Sequence, residues 1–223
     1  MPRSQNAKLP HFDINTAVHI AYRLAGSVPV KQLEYLNKSR ALKIERAVAN
    51  ALLRPPKISG DWLRREKQAI HQRHHLALDN YLHNNSNGPY HLQDTRIAEE
   101  VIASWRLLHE RKEIYLYVVC IMSNHVHLIV DCPVGVEAVS ISSVVRKAKG
   151  YTARVANKLL DRKGTAFWAP NYFDTSVRRG RFLRAVWYVL HNPVKAGLVE
   201  QWEDWPNTWL NPEYELLFRS ECF

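Results

Sequence analysis

The chain has 223 residues, 46% hydrophobic and 23% charged, enough for one domain with a sizeable core, or one domain carrying an insertion. No stretch of about 18 apolar residues occurs and the polar N-terminus lacks a signal-peptide core, which argues against a membrane-spanning or secreted protein. Cys120, Cys132 and Cys222 are too scattered for a disulfide framework or a C-x-x-C site, and a formal net charge of +10 favours a polyanionic partner, above all nucleic acid.

Residues 1–16 read as an N-terminal tail. Val18, Ile20, Tyr22 and Leu24 alternate within a strand from Ala17 that Gly26 and Pro29 end. Two helical patterns follow. One runs from about Val30 to Leu53 and stops at Pro55-Pro56. The other starts at Asp61, a good N-cap, carries Leu63, Ile70, Ala77 and Tyr81, and fades into the turn cluster before Pro89. Together they predict a helical hairpin, 31–87, inserted after the first strand. The main domain then comprises 17–30 and 88–210, with 211–223 as a C-terminal tail.

Asp94 caps a helix through about His109, with Ile97, Val101, Trp105 and Leu108 inward. Ile114–Ile121 is a strand, and Ser123-Asn124 turns into a second strand that ends near Asp131-Cys132-Pro133. Ser140 or Ser142 opens a long helix to about Asp161, which Gly164 closes. Its apolar stripe is Ile141, Val145, Ala148, Thr152, Val155 and Leu159, and its other faces carry Arg146, Lys147, Lys149, Arg154 and Lys158. Phe173–Val177 is a short strand, and Gly180 to Asn192 is a helix stopped by Pro193. With the hairpin set aside, the order β-α-β-β-α-β-α predicts an α+β fold: a ferredoxin-like sandwich with one added, tyrosine-bearing helix.

The chemistry centres on Asn124-His125-Val126-His127-Leu128-Ile129-Val130. Side chains alternate along a strand, so His125 and His127 share one face while Val126, Leu128 and Val130 enter a core. Two imidazoles side by side are half of a metal site, although an H-x-H pair is also compatible with simple packing. On the last helix, at about 100° per residue, Arg181, Arg184, Tyr188, His191 and Asn192 fall in one arc. Tyr188 and Asn192 are i,i+4 neighbours, and Asn192 sits at the helix end, where partial negative charge favours a cation. An Asn oxygen with two His nitrogens makes a three-ligand set for Mg²⁺ or Mn²⁺, with positions open for phosphate oxygens.

These residues carry a resemblance. Met122-Ser123-Asn124-His125-Val126-His127 resembles the M-P-N-H-V-H of HUH single-tyrosine transposases. The run Tyr188 to Val199 resembles the Y-I-x-x-N-P-V-K-A-G-L-V of the REP-associated tyrosine transposases, and Trp168, Tyr172-Phe173-Asp174 and Val177-Arg178 resemble their W-Q-x-x-Y-F-D-x-x-I-R. Glu203-Asp204-Trp205-Pro206 matches their E-D-W-P. The likeness covers about Tyr90 to Trp209. Ser123 stands where Pro is usual, Ala169-Pro170 where Gln is usual, and the hairpin is extra.

The resemblance implies a cytoplasmic, nucleoid-associated bacterial enzyme that cuts and rejoins single-stranded DNA at hairpin-forming palindromic repeats. A Mg²⁺ or Mn²⁺ ion on His125, His127 and Asn192 would polarise the scissile phosphate, and Tyr188 would attack it to form a 5′-phosphotyrosine. Arg146, Lys147, Arg154, Arg178, Arg181, Arg184 and Lys195 would bind DNA. Tyr151 is the rival nucleophile, because related insertion-sequence transposases keep theirs on that helix; Tyr172 is a lesser one. The short connection ending at Gly180 predicts a monomer with its site completed in cis, a shared site in a dimer being the alternative. A non-catalytic nucleic-acid-binding regulator on the same fold is the competing reading of function. His71, His74 and His75 read as a solvated helix face rather than a zinc site, Asn124 as a turn residue with support of the two histidines as the alternative, and Trp202, Trp205 and Trp209 as packing anchors.

Overall fold

A computed structural model describes residues 13–14, 16–84 and 88–218, so most of the expected N-terminal tail lies outside the described residues. The chain separates into two compact units, one formed by the segments before Gly26 and after Gly88, the other by Gly26–Gly88.

The first unit contains β1 (Asp13–Ile14), β2 (Val18–Leu24), α3 (Thr95–Glu110), β3 (Tyr115–Ile121), β4 (His125–Asp131), β5 (Val139–Ser140), α4 (Ile141–Leu159), β6 (Trp168–Ser176), α5 (Phe182–Leu190), α6 (Asn192–Lys195) and β7 (Thr208–Leu210). Five strands form an antiparallel sheet in the order β6-β2-β4-β3-β7, and β1 pairs with β5 separately. The first four are the four strands of a ferredoxin-like sandwich in the predicted chain order, and β7 widens the sheet beside β3.

Alternation along the strands creates two apolar layers. Val18, Ile20, Tyr22, Val126, Leu128 and Val130 pack on one face with Ile97, Val101 and Trp105 of α3 and Ile141, Val145 and Ala148 of α4. Asp94 caps α3 by accepting from the Arg96 backbone at 3.1 Å, and Ser140 caps α4 by accepting from the Ser143 backbone at 3.4 Å. Polar atoms in this layer find partners: Trp105 Nε1 donates to the Tyr22 hydroxyl at 2.9 Å, and Trp168 Nε1 donates to Thr152 Oγ1 at 3.0 Å. On the opposite face Val118, Cys120, Met122 and Ile129 pack against Val186, Val189 and Leu190 of α5.

Several boundaries differ from expectation: α5 ends at Leu190 rather than Asn192, Pro193 lies in the first turn of α6 because its missing N–H is not needed there, and Asp13–Ile14 of the expected tail pair with β5. β6 begins at Trp168, not Phe173, and runs through Pro170 because it is an edge strand, where a missing N–H need not break a ladder. β7 was not foreseen, since three residues of mixed polarity carry little periodic signal. Residues 211–218 do not trail away: Asn211 Nδ2 donates to the Leu116 carbonyl at 3.1 Å, and Phe218 is buried.

The second unit is a helical hairpin of α1 (Val30–Leu52) and α2 (Pro56–Asn84). The second helix starts five residues before Asp61 because Pro56 occupies its first position, where no N–H is required. Ser59 Oγ donates to the Ala51 carbonyl at 2.7 Å and ties the two helix ends across the turn, while the Arg54 guanidinium lies 4.0 Å from the Trp62 ring centroid. His71 and His74 lie near Arg40 and other cations of this hairpin. Burial, then those cations, lowers both, His74 to about 4, and His75 is buried, so this group is not the solvated face expected of it.

Candidate functional site

Strand register assembles the site. His125 lies opposite Arg23, His127 opposite Ala21, and Ile129 opposite His19, so β2 contributes His19, Ala21 and Arg23 to the face that carries the histidine pair. That is the face α5 covers. His125 and His127 rings meet edge to face, with centroids 4.8 Å apart and ligand nitrogens within 4.8 Å of one another.

Both imidazoles are held through Nδ1. Asn124 Oδ1 lies 2.6 Å from His125 Nδ1, which donates to it. His19 Nε2 lies 3.1 Å from His127 Nδ1. The His19 and His127 ring planes differ by only 12° with centroids 5.3 Å apart, close to the hydrogen-bond length plus two ring radii. The two rings therefore meet end to end in nearly one plane.

Tyr188 stands against this pair from α5. Its ring centroid is 5.8 Å from that of His19 and 6.0 Å from that of His127, at 80° and 89°. Lys195 reaches back from α6, with Nζ 5.7 Å from the Tyr188 ring centroid. Asn192 follows one turn after Tyr188, fully buried. Its Nδ2 donates to the Tyr188 carbonyl at 2.8 Å, and its Oδ1 has no hydrogen-bond partner among the described residues. A buried acceptor left so costs about 1–3 kcal/mol, and a cation at Oδ1 would offset that cost. Two imidazoles and an amide oxygen are donor types that a divalent cation accepts.

Tyr151 is not part of this assembly. It lies on α4, which packs against the opposite sheet face, and its hydroxyl donates to Glu100 Oε2 of α3 at 2.8 Å. Tyr172 also packs with that layer, where burial and then Asp174 push its phenol upward. Arg146, Lys147 and Arg154 share the α4 layer, exposed and away from the histidines, and Lys147 is ion-paired with Glu113. Periodicity put these cations on one helix, but not on a sheet face, because that depends on which face the helix buries. Arg178, Arg181, Arg184 and Lys195 are exposed on the segment around α5. His191 packs on Trp187, with centroids 3.9 Å apart. Cys120 lies opposite His127 in the register, but burial pushes its thiol up to about 12 and it remains an apolar packing group.

One member of the site, His19, carries no signal of its role in the sequence. It fits the alternation of β2 as a residue on the face opposite Val18 and Ile20, and its neighbours become visible only once β2 is paired with β4. For Asn124 the alternative reading, support of the histidines, is the one the structure favours: its Oδ1 accepts from and orients His125.

Residues 89–192 match a family described as "Transposase IS200 like". No curated protein matches the chain. Among solved structures, the chain is similar to a REP-associated tyrosine transposase bound to a REP hairpin: 15% identity over 92% of this chain and 81% of that one, TM-score 0.49. It is also similar to a provisionally named transposase of Deinococcus radiodurans R1, with 12% identity, coverage of 86% and 98%, and a TM-score of 0.37. No described helix is long and apolar enough to cross a membrane.

Proposed function

We propose that this chain, which matches the IS200-like transposase family over residues 89–192, is a metal-dependent nicking and joining enzyme for single-stranded DNA that folds into hairpins. The observation that carries the reading is the convergence of Tyr188 on the paired imidazoles of His19 and His127 at the sheet face that also holds His125.

His125 and His127, with the buried Oδ1 of Asn192, are the residues that would hold Mg²⁺ or Mn²⁺. Bound there, such an ion supplies Lewis-acid polarisation of a scissile phosphate. Tyr188 provides the nucleophile. Its phenol loses a proton, its oxygen bonds to phosphorus, and the bond from phosphorus to the 3′ oxygen breaks, releasing a 3′-OH. The phosphotyrosine conserves the bond energy, so attack by a second 3′-OH reverses the step into joining. The Lys195 ammonium beside the ring suits the negative charge of a phosphate brought to Tyr188. Exposed Arg178, Arg181 and Arg184 suit phosphates flanking the cut. Residues 31–87 carry Lys31, Lys38, Arg40, Lys43, Arg46, Arg54, Lys57, Arg64, Arg65, Lys67 and Arg73 against five acids, a composition suited to a duplex stem.

The test is incubation with Mn²⁺ and end-labelled single strands carrying imperfect palindromes from the DNA flanking the gene. The expected products are a free 3′-OH fragment and a fragment linked through its 5′ end to protein, both abolished by chelator. Chelator-insensitive binding without cleavage of any strand would instead support a non-catalytic nucleic-acid-binding protein.

A further inference from the structure

We propose that His19 is a positioning residue for the metal site: it fixes the ring of His127 so that Nε2, not Nδ1, is the ligand atom, as Asn124 does for His125. The inference rests on the reading of His125 and His127 as ligands and adds the residue that orients one of them.

A histidine that binds a metal through one nitrogen must carry its proton on the other, and the partner of that second nitrogen selects the tautomer and fixes the ring. For His125 the partner is an amide oxygen, which can only accept, so Nδ1 carries the proton. The same requirement on His127 makes its Nδ1–H the donor and His19 Nε2 the acceptor across their 3.1 Å contact. The near-coplanar rings align a lone pair of His19 with the Nδ1–H direction of His127. Both ligand rings are thus held from the same side of the imidazole, so that Nε2 is the nitrogen each would present to a shared ion.

Placement on the sheet explains how His19 can do this. It lies on β2, whose backbone is locked by ladders to both β4 and β6, so its Cα cannot drift relative to His127. The Phe173 ring flanks it at 6.2 Å and Tyr188 meets it edge-on at 5.8 Å. The same imidazole therefore touches the ligand and the proposed nucleophile, and it sets the spacing between them.

The test uses the full chain and Mn²⁺ alone as probe. Two variants separate the hydrogen bond from the packing. H19F keeps a planar ring but offers no acceptor; H19Q keeps a polar acceptor in reach of His127 Nδ1. Mn²⁺ affinity, read by electron paramagnetic resonance of the free ion, should fall roughly 10- to 100-fold in H19F and recover most of that loss in H19Q. Equal affinity in H19F and wild type, with H125A defective, would overturn the role of His19 while leaving the metal site intact. Equal affinity in H125A and wild type would overturn the ligand reading itself. Should H19F fail to fold, nitrogen NMR of the metal-free wild type decides: His127 protonated at Nδ1 supports the proposal, and protonation at Nε2 overturns it.

Discussion

Asn192 and Tyr188 are joined one helical turn apart: the Asn192 amide donates to the Tyr188 carbonyl at 2.8 Å and turns its oxygen, buried, away from that bond. The side chain that would complete the metal site thus also fixes the helix end that carries the tyrosine. N192A should weaken Mn²⁺ binding and, in the metal-free protein, change stability by no more than about 1 kcal/mol, because removing the unsatisfied oxygen offsets the lost hydrogen bond. Denaturant titrations with and without Mn²⁺ check this. Stabilisation by Mn²⁺ as large in N192A as in wild type would contradict ligation by Asn192.

Lys149 supplies a pH test of the fold around β6. Its Nζ donates to the Ala169 carbonyl at 2.7 Å, and burial, then Arg23, lower it to about 8. An amine lowered in the folded state is charged at a cost below that value, while the unfolded chain holds its proton up to about 10.5. Between these limits the unfolded state binds more protons, so the contribution of Lys149 to stability rises with pH. Relative to K149M, the wild type should gain on the order of 1–3 kcal/mol from pH 7 to 10. A difference that stays flat or falls with pH would contradict it.

We propose a site completed in cis, on the short link between β6 and α5, Val177–Arg181, and on the approach of Tyr188 to His127. Mixing H125A with Y188F should restore no cleavage at any ratio. Restored activity would mean that tyrosine helices are exchanged between two copies.

The basic hairpin should set the salt dependence of DNA binding. Replacing exposed Lys38, Lys43 and Arg46 of α1 with Glu should reduce the slope of log K against log salt by up to about 3 if each neutralises one phosphate. Cleavage of a short strand lacking a stem should persist. An unchanged slope on a full hairpin substrate would remove the clamp role from this face.

Much of this architecture is legible in the chain. Alternation in 125–130 assigns the face the two histidines share, and Asp94 and Ser140 mark helix starts that the structure keeps, whereas Pro193 does not stop a helix but lies in the first turn of α6. What periodicity cannot supply is which strand lies beside which. His19 is an unremarkable polar residue until β2 pairs with β4, and the cations of α4 look available until that helix covers the far face. Three-residue β7 and the Pro-containing start of β6 have too little pattern to read, because edge strands are specified by their neighbours more than by their own sequence.

The central claim is that Tyr188, rather than Tyr151, attacks the phosphate. The most direct measurement is mass spectrometry of the protein–DNA adduct formed with Mn²⁺, digested to peptides, for wild type, Y188F and Y151F. The account predicts a nucleotide mass on the peptide containing Tyr188, loss of the adduct in Y188F, and wild-type yield in Y151F. An adduct on the peptide containing Tyr151, surviving in Y188F and lost in Y151F, would contradict it.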